Sequence, residues 1–208
     1  VRGGEVKQFV HGGKALAMVG HGNSITESVV QPLKSEEIIQ ITDTPGYEET
    51  TIFSPDETLG VAMSPRFSHK TNCAVFGLVP QPHSMPVRGK IINVLYMYSV
   101  AGVRAFRKGN IGPALLDIQK SREEGRAYQG IDLSDPEGKW VYCSPMSWHP
   151  DSTRAMWNER TRTADGPVKH RLRICQLLDR KPAMPVPADI PPDSTPISYA
   201  IPINGMGG

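Results

Sequence analysis

Hydrophobic and polar positions alternate in short runs separated by turn residues, a pattern typical of β-strands. Predicted strands include ALAMV at 15–19, residues 28–32 and 37–42, and the β-branched and aromatic run KIINVLYMYSV at 90–100. The 20 glycines and 19 prolines disfavour long helices and favour short strands joined by loops. The pattern therefore predicts an all-β fold.

One strand–turn–strand unit occurs twice, because FSPDET at 53–58 aligns with WHPDST at 148–153. In each copy the proline fixes φ at the end of a strand, and the aspartate carboxylate can accept local backbone N–H bonds. Each copy therefore predicts a hairpin, with strands at 50–54 and 59–64 and at 147–149 and 154–158. The spacing of the two copies is about twice the roughly 40–50-residue period of propeller blades.

The segments that follow the two hairpins differ in clarity. Third strands are predicted at 72–79 and 170–178, whereas residues 101–139 leave two alternatives open. Pro113 begins either a strand followed by a charged hairpin loop or a short helix with proline at its first position. From Lys181 onward the run PAMPVPADIPPDSTP predicts an extended connector.

The SPDET and HPDST units resemble the TolB-like β-propeller repeat, also called the PD40 repeat. That repeat has a strand, a Ser-Pro-Asp-Gly turn, and a second strand ending near Ser-x-Arg. In the first unit Ser54–Asp56 and Ser64–Arg66 match it. In the second unit Pro150 and Asp151 match, while His149 replaces the serine and Asn158–Arg160 replaces Ser-x-Arg.

The two units share one departure from the repeat, since its glycine is Glu57 in the first and Ser152 in the second. The resemblance implies a fold of propeller blades, with about four blades' worth of chain. Residues 1–180 would form a partial propeller, with clear blades near 47–79 and 140–179, followed by a proline-rich tail at 181–208.

Because only two blades can be recognised in the sequence, we expect a second polypeptide to complete the propeller. The chain begins with Val1, which predicts a processed product or a fragment. The three cysteines, Cys73, Cys143 and Cys175, lack metal-ligand spacing and are expected to be buried thiols. One disulfide with a spare thiol is the alternative, so cysteine usage leaves the compartment open. The family resemblance favours a periplasmic or secreted location.

Propeller geometry places the loop before a blade's first strand on the same face as the loop between its second and third strands. In familiar propeller enzymes the pocket opens on that face. The predicted ligand-binding residues there are Tyr47, Glu48, Arg66, Arg160 and Arg162. The predicted catalytic residues are His69, His170 and Glu159. Arginine forks bind carboxylates, and histidine moves protons near neutral pH. A solvated loop is the alternative role for each residue.

Other chemistry finds less support in the sequence. His11 and His21 flank glycine-rich turns and could contribute to a metal site, but no third ligand is identified and the cofactor is unknown. Nucleotide-binding and zinc-protease motifs are missing from the sequence, and GHGNS at 20–24 lacks the GxSxG spacing. The balance of 23 basic and 21 acidic residues argues against a nucleic-acid partner. No run approaches 18 apolar residues, so no membrane span is predicted.

Three functions follow from this interpretation. The leading hypothesis is a propeller module that binds a polar ligand or a partner chain at its channel face, as part of a larger assembly. The alternative is a portion of a hydrolase or lyase whose pocket lies at the channel mouth and is shared with another chain. The third is a structural half that supports a catalytic domain elsewhere, as propellers do in prolyl-oligopeptidase-like peptidases. Fold alone does not choose among them.

Overall fold

The computed structural model describes residues 5–21, 24–44, 48–49, 51–64, 66–67, 112–162 and 165–188. In this part of the chain, eleven strands form three antiparallel sheets. Every sheet is a meander, in which strands adjacent in sequence are also adjacent in the sheet. The predicted mostly-β character is therefore confirmed.

Sheet 1 contains β1 (Glu5–Val10), β2 (Ala15–His21), β3 (Ser24–Pro32) and β4 (Ile39–Gln40). Val10, Ala17 and Val30 point to one side of the sheet and are buried there, and Met18 and Val29 are buried on the opposite side. The predicted strand at 15–19 is confirmed within β2. The predicted strand at 37–42 is shorter than expected.

Sheet 2 contains β5 (Ile52–Phe53), β6 (Leu59–Ser64), β7 (Gly112–Asp117) and β8 (Ile131–Asp132). The strand beside β6 is β7, in a register that pairs Met63 with Pro113. The unit predicted near 47–79 therefore continues well past residue 79. The strands predicted at 72–79 and 90–100 lie outside the described residues.

Helix α1 (Ile118–Glu124) follows β7 directly and continues into a 3₁₀ turn at Gly125–Ala127. Pro113 thus lies in a strand, as the first alternative predicts, and the helix that begins with this proline is wrong. A helix that begins at Ile118, and not the predicted charged hairpin loop, follows the strand. The Asp117 carboxylate caps α1 by accepting a bond of 3.0 Å from the Lys120 N–H. The Ser121 hydroxyl donates to the Ile41 carbonyl at 2.6 Å, which fastens α1 to sheet 1.

Sheet 3 contains β9 (Trp140–Trp148), β10 (Arg154–Thr161) and β11 (His170–Gln176). The strand predicted at 170–178 agrees with β11 to within two residues. The strand predicted at 147–149 is the end of the much longer β9. None of the helices in the described ranges is both long and apolar enough to cross a membrane.

Both Pro-Asp corners form hairpin turns with the same backbone hydrogen bonds. The Glu57 N–H donates to the Ser54 carbonyl at 2.8 Å, and the Ser152 N–H donates to the His149 carbonyl at 2.9 Å. Glu57 and Ser152 have φ values of 60° and 62°. Both replace the glycine of the TolB-like repeat, and both keep the left-handed backbone that glycine favours at this place in a turn.

The three sheets stack with sheet 2 in the middle. Phe53 belongs to a buried cluster between sheets 1 and 2, and Trp157 belongs to a cluster between sheets 2 and 3. Strand β5 contacts both β1 and β9, so the first strands of the three sheets are neighbours. The Gln8 amide bonds both backbone groups of Phe53, at 2.9 and 3.2 Å. The Trp148 indole donates to the Ile52 carbonyl at 2.9 Å.

Residues 180–188, which we call the strap, cross the first turn of every sheet without forming a helix or strand. The Ala183 N–H donates to the Asp151 carbonyl at 3.0 Å, and the Val186 N–H donates to the Pro55 carbonyl at 2.8 Å. A Cβ added at Gly12, whose φ is +66°, would lie 2.4 Å from the Pro187 carbonyl oxygen. The proline-rich segment therefore packs along its own sheets. Residues 189–208 lie outside the described ranges.

Candidate functional site

Glu48 and Arg66 flank the β5–β6 hairpin and meet at the end of sheet 2 opposite its Pro-Asp turn. The Glu48 Oε1 atom accepts from Arg66 Nη2 at 2.6 Å and from Arg66 Nε at 2.9 Å, and it also contacts the Ser64 hydroxyl. Both charged side chains are buried. Arg66 Nη1 donates to the carbonyls of Tyr128 and Gln129 at 3.3 Å. The predicted neighbourhood of Glu48 and Arg66 is therefore present in the structure.

The second carboxylate oxygen of Glu48, Oε2, is buried and has no hydrogen-bond partner. A buried polar atom without a partner costs roughly 1–3 kcal/mol, and an ionised one costs more. The Thr44 hydroxyl oxygen is also buried without a partner. The end of sheet 2 thus holds an acceptor that the protein itself leaves unused.

Glu27 on β3 is a buried acid that the sequence analysis did not identify. Its carboxylate accepts from the Thr42 hydroxyl at 2.7 Å and from the Thr44 N–H at 3.1 Å. Burial raises the pKa of Glu27 to about 8, and the charges of Glu48 and Asp43 add to that effect while the bonds from Thr42 and Thr44 oppose it. Glu27 therefore carries its proton at neutral pH.

The sequence holds one signal that could have indicated Glu27. It stands inside SITESVVQP, a strand otherwise made of hydroxyl, amide and apolar residues. An acid at such a position is either exposed or buried with an altered pKa. Its partners come from a separate segment, so the choice between these states required the packed structure.

Glu159 on β10 is also buried, but its carboxylate is fully occupied. Oε1 accepts from the Trp157 indole at 3.1 Å and from Arg173 Nη1 at 3.4 Å. Oε2 accepts from Arg171 Nε at 2.7 Å and lies 2.6 Å from Arg171 Nη2. The Arg171 guanidinium also lies 4.2 Å from the centre of the Trp140 ring. Four donors fill the acceptor positions of the carboxylate, which favours a structural role over the predicted catalytic one.

The remaining residues of the predicted site lie either in and beside sheet 3 or outside the described residues. Arg162 is buried, and its guanidinium contacts the Gly138 carbonyl and lies 3.6 Å from Asp165. Arg160 and the exposed His170 face each other across β10 and β11. Tyr47 and His69 lie outside the described residues. Within the described ranges, no hydrogen bond or ion pair joins Glu48 or Arg66 to the predicted site residues of sheet 3.

A groove of about 870 Å³ lies between sheets 1 and 2, on the side of the Pro-Asp turns. Apolar side chains including Ile41, Phe53 and Ile118 line it, together with the charged side chains of Glu57 and Arg180. The Glu57 carboxylate and Arg180 Nη2 already have partners within the protein, while Arg180 Nε is buried without one. The groove is thus at the opposite end of sheet 2 from Glu48, and the chemistry of Glu48 makes its end the stronger candidate site.

Neither a metal-binding cluster among the described residues nor a comparison with known proteins assigns a role to this site. Among the residues with described positions, no group of three or more His, Cys, Asp or Glu side chains is arranged to hold a metal ion. No protein-family model, curated protein or solved structure matches the chain. The resemblance to the TolB-like repeat therefore depends on the sequence of its two turns.

Proposed function

We propose that this chain is a propeller-type binding module that holds a polar ligand or a partner chain at the end of the sheets where Glu48 and Arg66 meet. Two features support the architecture. The sheets are consecutive meanders, and their first strands are neighbours, as blades are around a propeller channel. The polar ligand follows from the chemistry of Glu48.

The unpartnered Oε2 atom of Glu48 is the observation that carries the proposal. Arg66 and Ser64 fix the carboxylate through Oε1, so Oε2 is held in a defined position. A fixed, buried carboxylate oxygen favours a ligand that donates an N–H, such as an ammonium group. The neighbouring Glu27 is neutral, so it does not compete for the same cation.

Methylammonium is a direct probe of this site, and tetramethylammonium, which has the same charge but no N–H, is its matched control. We expect methylammonium to raise the Tm of the wild type and to shift the backbone amide resonance of Thr44. Glu48→Gln should remove both effects, while the exposed Glu37→Gln should retain them. Equal effects of the two cations, or a response of Glu48→Gln equal to that of the wild type, would rule out recognition at Oε2.

If Glu48→Gln does not fold, the amide resonances of the wild type alone still test whether methylammonium binds at Glu48. Residues around Glu48 must then respond to methylammonium and not to tetramethylammonium. A response confined to distant surface residues contradicts the proposal.

Stability should depend on pH through Glu27. Its pKa is about 8 when folded and 4.5 ordinarily, so the folded protein holds the proton more tightly than the unfolded chain. The free energy of unfolding should therefore fall as pH rises from about 5 to 8, by an amount on the order of a few kcal/mol. Urea denaturation at several pH values measures this fall.

Glu27→Gln should abolish most of that pH dependence and be more stable than the wild type at pH 8. Glu37→Gln, an exposed change of the same kind, should leave the fall intact. The charged groups that act on Glu27 are Glu48 and Asp43. Arg126 interacts mainly with Asp43 and is attracted more weakly by Glu27. A wild type whose stability is level between pH 5 and 8 would show that Glu27 is ionised.

The protonated Glu27 also favours the second candidate, a hydrolase or lyase, because a neutral carboxylic acid near pH 7 can act as a general acid. Turnover of p-nitrophenyl esters or glycosides that is lost in Glu27→Gln, with Tm retained, would support this function. Alanine at Arg66, His69, Arg160 or His170 tests the predicted residues singly. Turnover unchanged by all four substitutions removes them from the mechanism.

A further inference from the structure

The strap alternates between half-buried and exposed positions with a period of three residues. Arg180, Ala183 and Val186 are half-buried, whereas the residues between and after them in the strap are exposed. A polyproline II helix has three residues per turn, while a β-strand repeats every two. The burial of the strap therefore indicates a polyproline II helix that turns one of its three edges toward the sheets.

Hydrogen bonding of the strap follows the same period. The N–H groups of Ala183 and Val186, three residues apart, donate to the carbonyls of Asp151 and Pro55 at 3.0 and 2.8 Å. Arg180, three residues earlier, contacts the first Pro-Asp corner through its guanidinium. A polyproline II helix makes no internal hydrogen bonds, so its N–H groups are free to bond to other segments. These anchoring contacts all come from one edge of the strap.

The other two edges of the strap face away from the sheets. The residues on these edges are Lys181, Pro182, Met184, Pro185, Pro187 and Ala188, all of them exposed. The apolar side chain of Met184 is 86% exposed. Pro182 and Pro185 follow one another on one edge, with the PxxP spacing of proline-rich ligands. Since a groove that receives a three-edged helix contacts two of its edges, the strap leaves free the surface that such a groove requires.

We propose that the strap is a preformed ligand for a partner protein whose binding groove is lined by aromatic side chains. Proline-rich segments dock in such grooves as polyproline II helices, and the thioether of Met184 suits contact with an aromatic ring. The sheets already hold the strap in place, so binding orders little additional chain. The strap lies at the Pro-Asp turns, at the opposite end of sheet 2 from Glu48, so this surface is separate from the binding site proposed above.

Hydrogen exchange of the full chain tests the conformation of the strap. The amides of Ala183 and Val186 should exchange at least about 10-fold more slowly than those of Lys181 and Met184, because only the first two donate to carbonyls among the described residues. Equal exchange rates in all four amides would overturn the anchored polyproline II helix.

A panel of SH3 domains is the probe for binding, because their aromatic grooves receive proline-rich segments. We expect the full chain to bind at least one of them, with the shifted amide resonances concentrated in the strap. Met184→Glu should weaken this binding by on the order of 10-fold, because an apolar contact is lost. Leu172→Glu is the matched control, since it makes the same change at an exposed position on sheet 3 and should bind as the wild type does.

A synthetic peptide of residues 180–188 separates the sequence of the strap from its presentation by the sheets. The full chain should bind the same SH3 domain more tightly than the peptide does, because its strap is already ordered. Binding of the peptide that equals or exceeds that of the full chain would show that the sheets do not present a preformed ligand. Equal weakening by Met184→Glu and Leu172→Glu, or no binding of the full chain to any member of the panel at about 1 mM, would also overturn the proposal.

Discussion

The two Pro-Asp corners have the same backbone but different surroundings. Asp56 in the first corner contacts the Ser54 and Thr58 hydroxyls and the Arg180 guanidinium of the strap. Asp151 in the second corner accepts from the hydroxyl and the N–H of Thr153, at 2.7 and 2.9 Å. One aspartate therefore connects distant parts of the chain, while the other closes its own turn. A repeated motif fixes the turn and leaves the side chain free to take a second role.

The pKa values of the two aspartates reflect the same difference. Burial opposes ionisation of Asp56, but hydrogen bonds from Ser54 and Thr58 and the charge of Arg180 outweigh it and lower its pKa. Two bonds from Thr153 lower the pKa of Asp151 to about 2, against a smaller desolvation that raises it, and His149 adds to the lowering. Both carboxylates should thus favour the folded state above their ordinary pKa of 3.8, and this contribution is lost on acidification.

Alanine substitution of the aromatic residues that precede the two corners should show the largest difference in lost stability. Phe53 is buried in the cluster between sheets 1 and 2, so Phe53→Ala should cost about 3–5 kcal/mol. Trp148 is only half-buried and contributes one indole bond to Ile52, so Trp148→Ala should cost about 2 kcal/mol. Urea denaturation measures both. Equal costs would mean that the two corners are energetically equivalent.

Double-mutant cycles with Arg180 should give different coupling energies for the two aspartates, and this difference should be of intermediate size. Asp56→Ala and Arg180→Ala remove partners of one contact, so their effects should be coupled by about 1–2 kcal/mol. Asp151→Ala and Arg180→Ala should be additive within about 0.5 kcal/mol, because Asp151 meets the strap only through its carbonyl. Similar coupling in the two cycles would contradict the assigned role of Asp56.

The smallest effects on stability should come from placing glycine after each aspartate, as in the TolB-like repeat. Glycine relieves about 1–2 kcal/mol of left-handed strain, but each substitution also removes a hydrogen bond. The Glu57 carboxylate accepts from the His11 N–H at 2.6 Å, whereas the Ser152 hydroxyl accepts from the Asp56 N–H at 3.1 Å. Glu57→Gly should therefore destabilise by about 1 kcal/mol, and Ser152→Gly should be within about 0.5 kcal/mol of neutral. Thermal unfolding that shows the reverse order would refute this balance.

Sequence reasoning succeeded where the determinants are local. The turns at 53–58 and 148–153 were predictable because proline and aspartate act on their immediate backbone. The meeting of Glu48 with Arg66 was predictable because both residues flank one hairpin. These features need only the chain on either side of a turn.

The remaining features depend on contacts between distant segments. Strand β7 pairs Asp117 with Leu59, and nothing in the intervening sequence specifies that long-range partner. Glu27 has a raised pKa because Thr42, Thr44 and Glu48 meet it only after sheets 1 and 2 pack. The stacking of the three sheets likewise depends on clusters between segments that are distant in the sequence.

The strap has a consequence for synthesis on the ribosome. Each sheet consists of strands that follow one another along the chain, so the sheets can form in order as the polypeptide emerges. Their turns are joined by residues 180–188, which are made only after the last strand. We therefore expect nascent chains stalled before Arg180 to expose all three turns to protease, and chains stalled after the strap has left the exit tunnel to protect them.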